Sequence, residues 1–312
     1  MKAPDGNKLA ILNALNKGGF VSGQALGNEL GISRAAVSKH IQSLQAMGLD
    51  VFKVTGKGYS LNNHVGLLNQ QIIQQLYAEL GQNTANIEVQ PLIDSTNSEL
   101  MRRIQAKAAL ESGTVIVAEM QQAGRGRRGR VWQSPFGANL YYSYFWRLDD
   151  GLQAAMGVSI AVGLAVYDAI KALYDIEVEL KWPNDIYINK QKLAGVLVEL
   201  DGQPQGPCQL VIGIGINLNM PESASQHIDQ AWTDLSQHTQ QLDKNQLVAS
   251  LTYCLEQRLA QYRENGLQTM YQQWNALNAF AGQQVELNTG HRSWCGICEG
   301  IDAHGGVRIR QD

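Results

Sequence analysis

The sequence predicts a winged helix-turn-helix followed by a larger α/β domain on a mixed sheet, so the chain as a whole is α+β/α/β. Three features support that fold class. Residues 6–61 show capped amphipathic helices broken by glycine turns, then a glycine-turned hairpin. From Gln70 onward, apolar strand-like runs alternate with segments of helical periodicity. Charge changes sign at the same point: residues 1–61 hold seven Lys/Arg against three Asp/Glu, a net of +4, and the remainder holds 18 against 25, a net of −7. A basic module on an acidic body implies that the module alone meets a polyanion.

In the first module, Leu9, Ile11, Leu12 and Leu15 mark a helix ended by Gly18-Gly19. Ser22 caps a short second helix carrying Ala25, Leu26 and Leu30, closed by Gly31. Ser33 caps a third helix, whose Val37, Ile41 and Leu44 form the core stripe. At about 100° per residue, Ala35, Ser38, Lys39 and Gln42 project from the opposite face, with Arg34 at its flank. Short polar and basic side chains near a helix start suit base edges and phosphates, so Ser33, Arg34, Ala35, Ser38, Lys39 and Gln42 are the candidate DNA contacts. Residues 51–61 read as a hairpin with a glycine turn and two lysines, a wing that adds Lys57 to the set. A three-helix protein-interaction module is the other reading; basic charge on both helix and wing favours nucleic acid. Residues 62–68 have linker composition and set the boundary, with domains expected at 1–62 and from 68 onward.

The second domain opens with a helix over 70–80 and a strand over 87–93 that runs into Asp94-Ser95-Thr96-Asn97. Ser95 or Thr96 caps a helix over 99–108. Strands follow at 114–118 and 140–148, a long apolar helix at 156–173, and further strands at 177–182, 186–188, 193–200 and 209–216. Helices over 244–263 and 267–280 close the domain at residue 281. The apolar run 193–200 is expected at a sheet edge, open to edge-to-edge pairing with a second copy.

Length and composition bound the rest. With 312 residues, 44% hydrophobic and 17% charged, the chain suits two or three globular domains. No apolar stretch reaches the roughly 18 residues of a transmembrane helix, and Met1 to Gly6 lacks a signal-peptide core, so no membrane and a cytoplasmic setting are expected. Cys208, Cys254, Cys295 and Cys298 agree with a reducing compartment. Cys295-Gly-Ile-Cys298 has zinc or redox spacing, but it lacks a second pair and lies in a strand-like run, which favours packing.

The chemistry concentrates in Gln121 to Arg130, where Gly124 to Arg130 packs four arginines and three glycines into seven residues. Glycine lets backbone N–H groups approach a ligand, and arginine supplies planar permanent charge, so the run describes an anion cradle. Composition alone leaves open a solvated basic loop. Gly213-Ile-Gly215-Ile-Asn217 lacks the third glycine of a dinucleotide fingerprint and ends a strand, so it is not a Rossmann site. The sequence also lacks the lysine-bearing phosphate loop and paired metal histidines. Polar strand ends gather beside the cradle instead: Lys181-Trp182-Pro183-Asn184-Asp185, Lys192-Leu193-Ala194-Gly195 and Asn217.

These motifs, with Asp94-Ser95-Thr96-Asn97 and Trp132, resemble the biotin–protein ligase family, in its bifunctional type that also represses the biotin operon. The resemblance covers nearly the whole chain. It implies a central ligase domain of the class II synthetase-like type and a reaction using ATP and Mg²⁺ with biotin as substrate. It implies that Ser95, Thr96 and Gln121 hydrogen-bond the ureido ring, with Asn97, Gly124, Arg125, Gly126, Arg127, Lys192 and Gly195 completing the biotin side. Arg130, Trp132, Asn184, Asp185, Asn217 and Trp232 fall on the nucleotide side, Trp232 in a second mobile loop. Arg127 and Arg130 match positions facing carboxylate and phosphate. Lys192, Arg127, Asp185 and Lys181 form the implied catalytic set, with Asp185 also the candidate Mg²⁺ ligand. The implied partners are the biotin carboxyl carrier protein of acetyl-CoA carboxylase, operator DNA, and a second copy in a homodimer promoted by biotinyl-5′-AMP. The family ends in a small SH3-like barrel; here it would begin near Gln283 and reach Asp312 before its closing strands, an incomplete domain over 282–312 with exposed edges.

Two rival functions stand beside this one. One is a ligand-sensing repressor with weak or no ligase activity, which a biotinylation assay separates. The other is ligation of a different acyl group such as lipoate, which competition with biotin separates.

Overall fold

The structure, a computed structural model, describes all residues except 1–5, 62–65, 82–84, 150, 152–154, 203–205, 227, 289–291 and 312. The first part of the expected linker, 62–65, therefore lies outside the described residues.

Helices α1 (Gly6–Asn16), α2 (Gly23–Leu30) and α3 (Arg34–Ala46) precede a hairpin of β1 (Val51–Val54) and β2 (Gly58–Leu61). The caps are where the sequence puts them: Ser22 Oγ accepts from Ala25 N at 3.0 Å and Ser33 Oγ from Ala36 N at 3.1 Å. Ile11, Leu12, Leu15, Leu26, Val37, Ile41 and Leu44 bury together. The wing is fastened to the module because Val21 and Tyr59 exchange backbone hydrogen bonds at 2.8 and 2.9 Å. Gly58 is needed there, since a Cβ would stand 2.2 Å from the Val21 carbonyl oxygen.

The body holds α4 (Gln70–Glu79), β3 (Ile87–Gln90), α5 (Thr96–Gln105), β4 (Val115–Ala118), β5 (Asn139–Leu148) and α6 (Val158–Tyr174). There follow β6 (Glu179–Lys181), β7 (Asp185–Ile188), β8 (Gln191–Gly202), β9 (Cys208–Asn217), α7 (Lys244–Asn265) and α8 (Tyr271–Ala276). Strands β3 to β9 form one seven-stranded sheet in the order β3-β4-β5-β9-β8-β7-β6. Only β3 and β4 run parallel, so the sheet is mixed as expected.

Strand parity decides what each face becomes. Tyr142, Tyr144 and Trp146 of β5, Leu210, Ile212 and Ile214 of β9, and Ala194 and Val196 of β8 enter the main core against α6 and α7. The alternate residues, Phe145 and Val211, meet Leu100 and Ile104 of α5 on the other face. Further along that face lie Ser143, Gly195, Leu197, Glu199, Gly213 and Gly215.

Three expectations need correction. The run 193–200 is not a sheet edge: β8 lies between β9 and β7, and the edges are β3 and β6. Yet β7 reaches only Gln191 to Gly195, so beyond Val196 the described strands pair with β8 on the β9 side alone. The strand over 87–93 ends at Gln90, because Pro91 has no N–H for the ladder. The helix over 267–280 contracts to Tyr271–Ala276, since the Asn278 side chain takes the Phe280 N–H into a turn.

The winged helix docks firmly on the body. Met120 and Phe136 bury in its core cluster, and Phe136 N donates to Met47 O at 2.9 Å. Beneath this seam Glu119 accepts from Leu68 N and pairs with Lys244 Nζ at 2.6 Å, both side chains 5% exposed. At the other end β10 (Gln284–Asn288), β11 (Ser293–Ile301) and β12 (Val307–Arg310) make a three-stranded antiparallel sheet. Its Ile301 joins the main core. On β11, Cys298 is buried and Cys295 exposed, both free thiols, so the packing reading holds for Cys298 alone.

Candidate active site

The N-terminus of α5 forms the polar floor of the site. Ser95 Oγ caps the helix by accepting from Ser98 N at 3.4 Å, and Ser95, Thr96 and Asn97 are all buried. Arg102 reaches back to Asp94 at 2.5 Å, and its guanidinium holds the Asp94 carboxyl below the usual carboxylate range. Gln121 lies opposite, where its Oε1 accepts from Thr96 N at 2.9 Å and its Nε2 donates to Ser134 Oγ at 3.1 Å. Ser143 Oγ donates to Asn97 Oδ1 at 2.5 Å and lies 2.7 Å from the Thr96 hydroxyl. The floor is thus neutral and densely hydrogen-bonded.

The glycine–arginine loop keeps its arginines exposed, yet two of them are pinned across the site. Arg125 pairs with Glu199 of β8 at 2.6 Å, and Arg127 donates to Asn184 Oδ1 at 2.7 Å. Asn97 also donates to Glu199, at 2.9 Å. Arg128 adopts the left-handed region with φ 56°. Beyond the loop, Trp132 lays its indole over β9 and β8. A Cβ on Gly215 would stand 2.5 Å from that ring, and one on Gly195 would stand 3.4 Å from it. Gly213 makes the same allowance for Asn97, whose Oδ1 would be 2.3 Å from a Cβ. The glycines that imitate a dinucleotide fingerprint therefore clear the floor of the site.

Cations and carboxylates meet at the strand ends. Lys192 Nζ stands 2.7 Å from Asp185 Oδ1 and 5.7 Å from the Trp132 ring centroid. Lys181 Nζ donates to Tyr187 OH at 2.9 Å and lies 5.7 Å from the Phe280 ring. Asn184 fixes its own loop by donating to Val196 O at 2.6 Å.

These groups surround a cavity of about 460 Å³. Its walls include Ser95, Thr96, Asn97, Gln121, Arg125, Gly126, Arg127, Arg130, Trp132, Lys181, Asn184, Asp185, Lys192 and Gly195. Three expected residues stand off it. Gly124 is closed in by Ser134 and the Trp132 carbonyl. Asn217 is a buried joint whose amide donates to Thr233 O at 3.0 Å. Trp232 belongs to a segment zipped to β8, with Lys192 N donating to Ala231 O and Thr233 N to Lys192 O, each at 3.0 Å.

Sequence reasoning missed Ser143, Glu199, Gly213 and Gly215, and the cavity-lining Glu286, Leu287 and Asn288 of β10. The β9 glycines had a local sign, since both share the parity opposite the apolar residues of that strand. The β10 residues had none. In the winged helix, Ser33, Arg34, Ala35, Lys39, Gln42 and Lys57 are exposed and Ser38 is half-buried, so the candidate DNA face is open.

The model of the biotin/lipoate A/B protein ligase family matches residues 89–217, and that of an HTH domain matches residues 7–60. The bifunctional ligase/repressor BirA of Salmonella typhimurium is 44% identical over 97% of this chain and 92% of its own length. The bifunctional ligase/repressor BirA of Bacillus subtilis is 33% identical over 92% of this chain and 88% of its own. Among solved structures, a biotin protein ligase from Aquifex aeolicus in complex with biotin and ATP superposes with TM-score 0.60 and 28% identity, covering 72% of this chain and 91% of that one. With a helix-turn-helix ahead of the ligase domain and 44% identity over 97% of its length, the chain belongs to the biotin protein ligase family, in its bifunctional ligase/repressor branch.

Proposed function

We propose that the chain condenses biotin with ATP to biotinyl-5′-AMP and pyrophosphate, then passes the biotinyl group to the amine of one lysine of the biotin carboxyl carrier protein of acetyl-CoA carboxylase, releasing AMP and a proton. The same chain represses the biotin operon through its winged helix. The observation that carries the reading is the polarity of the cavity. A neutral hydrogen-bonding floor opens onto Arg125, Arg127, Arg128, Arg130, Lys181 and Lys192, with Asp185 and Glu286 as its carboxylates. Neutral donors and acceptors suit a ureido ring. The cations lower the repulsion between a carboxylate and the α-phosphate it attacks.

On this reading Ser95, Thr96, Asn97 and Gln121 orient the ureido ring, with Gly195 and the Gly124–Arg127 stretch above it. Arg127 and Lys192 face the reacting carboxylate. Arg130, Trp132 and Asn184 serve the nucleotide, while Asn217 and the Trp232 segment shape the rim. Lys181 adds charge from the C-terminal side. Asp185 is the candidate base for the acceptor lysine, a role that requires it to leave Lys192.

The described residues contain no cluster of three metal-ligating side chains. Mg²⁺ is commonly held by one or two carboxylates and the substrate's phosphates, and Asp185, which lines the cavity, would be the protein's contribution. When bound with ATP, Mg²⁺ supplies charge neutralisation at the phosphates.

The division of labour assigns 1–62 to operator DNA, 68–281 to catalysis and 282–312 to a wall of the site. A homodimer promoted by biotinyl-5′-AMP would use the half of β8 beyond Val196, which Arg125 reaches through Glu199. No described helix is long and apolar enough to cross a membrane. The deciding experiment incubates the full chain with ATP, Mg²⁺, biotin and a biotin-accepting domain. Biotin on one acceptor lysine is expected, and an unlabelled acceptor refutes the ligase reading in favour of a sensor that only binds.

A further inference from the structure

The loop Lys181–Asp185 carries three groups of the site, yet one of its anchors comes from another domain. Trp182 Nε1 donates to the carbonyl oxygen of Gly305 at 3.0 Å, across 123 positions of chain. Gly305 lies in the turn between β11 and β12. We propose that this turn is a positioning element for the nucleotide side of the active site, with Trp182 as the residue that transmits its position and Asp302 as the residue that holds its shape. The proposal rests on reading the cavity as the site of adenylate formation.

The turn is built to be rigid. Asp302 Oδ1 accepts from His304 N at 2.8 Å and from Gly306 N at 2.9 Å, while Asp302 N donates to Gly306 O at 2.9 Å. Its approach is fixed from one side by Asn275 of α8, which donates to Ile301 O at 2.9 Å and accepts from Ile301 N at 2.7 Å. From the other side it sits directly on the body: a Cβ on Gly305 would be 2.9 Å from Leu267 Cδ1 and 3.5 Å from Gly157 Cα. The Gly305 carbonyl therefore has a defined position relative to the catalytic sheet.

What it fixes is the far end of a short lever. Asn184 and Asp185 follow Trp182 within three residues. Asn184 bonds Val196 O at 2.6 Å and receives Arg127 at 2.7 Å, while Asp185 pairs with Lys192 at 2.7 Å. Asn184 is tied to Val196 through both its side chain and its backbone carbonyl, and Asp185 pairs with Gly195 in the ladder, so Trp182 adds the tie that comes from the C-terminal sheet. With Trp182 released, Asn184 and Asp185 keep the sheet contacts but lose that tie. That loosening touches the nucleotide side, and it leaves the biotin floor at Thr96 and Gln121 alone.

The test compares Trp182→Phe, which keeps a ring and removes the N–H, with Asp302→Ala and Asp302→Asn in the full chain. Asn retains the accepting oxygen, so it should restore what Ala removes. Biotin-dependent ATP–pyrophosphate exchange should show the KM for ATP raised about fivefold in Trp182→Phe and Asp302→Ala, the size of one neutral hydrogen bond. The KM for biotin should stay at the wild-type value, and the double variant Trp182→Phe/Asp302→Ala should be no worse than either single one. Hydrogen exchange of the same proteins should speed up at 181–187 and stay unchanged in β5 and β9. Equal rises in both KM values, or unchanged exchange at 181–187, would overturn the proposal. Should wild type lack pyrophosphate exchange altogether, the ligase reading falls, and hydrogen exchange at 181–187 still decides whether the turn positions the loop.

Discussion

Lys192 and Asp185 form an ion pair at 2.7 Å, with side chains only 13% and 17% exposed, on neighbouring strands at the mouth of the cavity. Each neutralises the other until a more highly charged ligand enters. On the proposed reading, a carboxylate and a triphosphate arriving at this point would redirect Lys192 toward the anions and free Asp185 for a cation or a proton. Lys192→Ala should slow biotinyl-adenylate formation on the order of 10²- to 10³-fold, the usual effect of losing one charge-stabilising group. The fold should survive, with circular dichroism like that of wild type. Adenylation at the wild-type rate in a folded variant removes Lys192 from the reaction.

Arg127 spans from the glycine–arginine loop to Asn184 at 2.7 Å, so it closes the loop over the cavity. Arg127→Gly should still make the adenylate and hold it poorly, because a charge-assisted contact is lost. Released anhydride would then label lysines of unrelated proteins. The measurement is biotin on a bystander protein, and no increase over wild type counts against a retention role.

The exposed Lys39 and Lys57 should each contribute a phosphate contact. Lys39→Ala with Lys57→Ala should weaken operator binding uniformly across sequences and reduce the slope of log affinity against log salt by roughly two. Ligation should be unchanged. Deleting residues 1–61 should abolish DNA binding outright, but it would also expose Met120 and Phe136, which are 6% and 2% exposed in the intact chain. Losing that burial should cost about 3–6 kcal/mol of apolar contact, seen as a lowered Tm of the body. A truncated form with unchanged Tm would show that the docking seam carries no stability.

The charges on α5 and α7 predict opposite pH effects. Asp94 and Glu99 are held below the ordinary carboxylate range, chiefly by Arg102. Depressed carboxylates contribute stability that is present above their unfolded pKa and lost as pH falls, here below about pH 4. Arg102→Met should flatten that acid limb, modestly because Arg102 and Asp94 are 50% and 43% exposed. Glu256 is pushed up, first by burial, and receives the Tyr77 hydroxyl. Its ionised form opposes folding, so its contribution is lost as pH rises through the folded pKa. Glu256→Gln should therefore raise Tm at neutral pH. Thermal melts from pH 3 to 8 test both signs.

Leu200, 45% exposed, lies on the part of β8 that β7 leaves uncovered. If biotinyl-5′-AMP promotes dimerisation there, sedimentation at one protein concentration should shift toward dimer when the adenylate is added. Leu200→Asp should abolish the shift. An unchanged equilibrium in the wild-type chain removes this coupling even where ligation is confirmed.

Local rules settled much of this protein. Ser22, Ser33 and Ser95 cap helices because a hydroxyl followed by helical periodicity satisfies the exposed N–H groups of a first turn, which needs only neighbouring residues. The winged helix, the strand order in sequence, the arginine–glycine loop and the polar strand ends were legible for the same reason. Tertiary structure alone decided which strands became neighbours. Apolar alternation assigns residues 193–200 to a strand and chooses its faces, but it does not say that β7 covers only the first half. It also decided the long-range pairs: Glu119 with Lys244, Asn97 with Glu199, Trp182 with Gly305, and β10 at the cavity wall. Such contacts join segments about a hundred residues apart, so their loop-closure entropy is offset by the whole core at once, and no short stretch of sequence carries their signature.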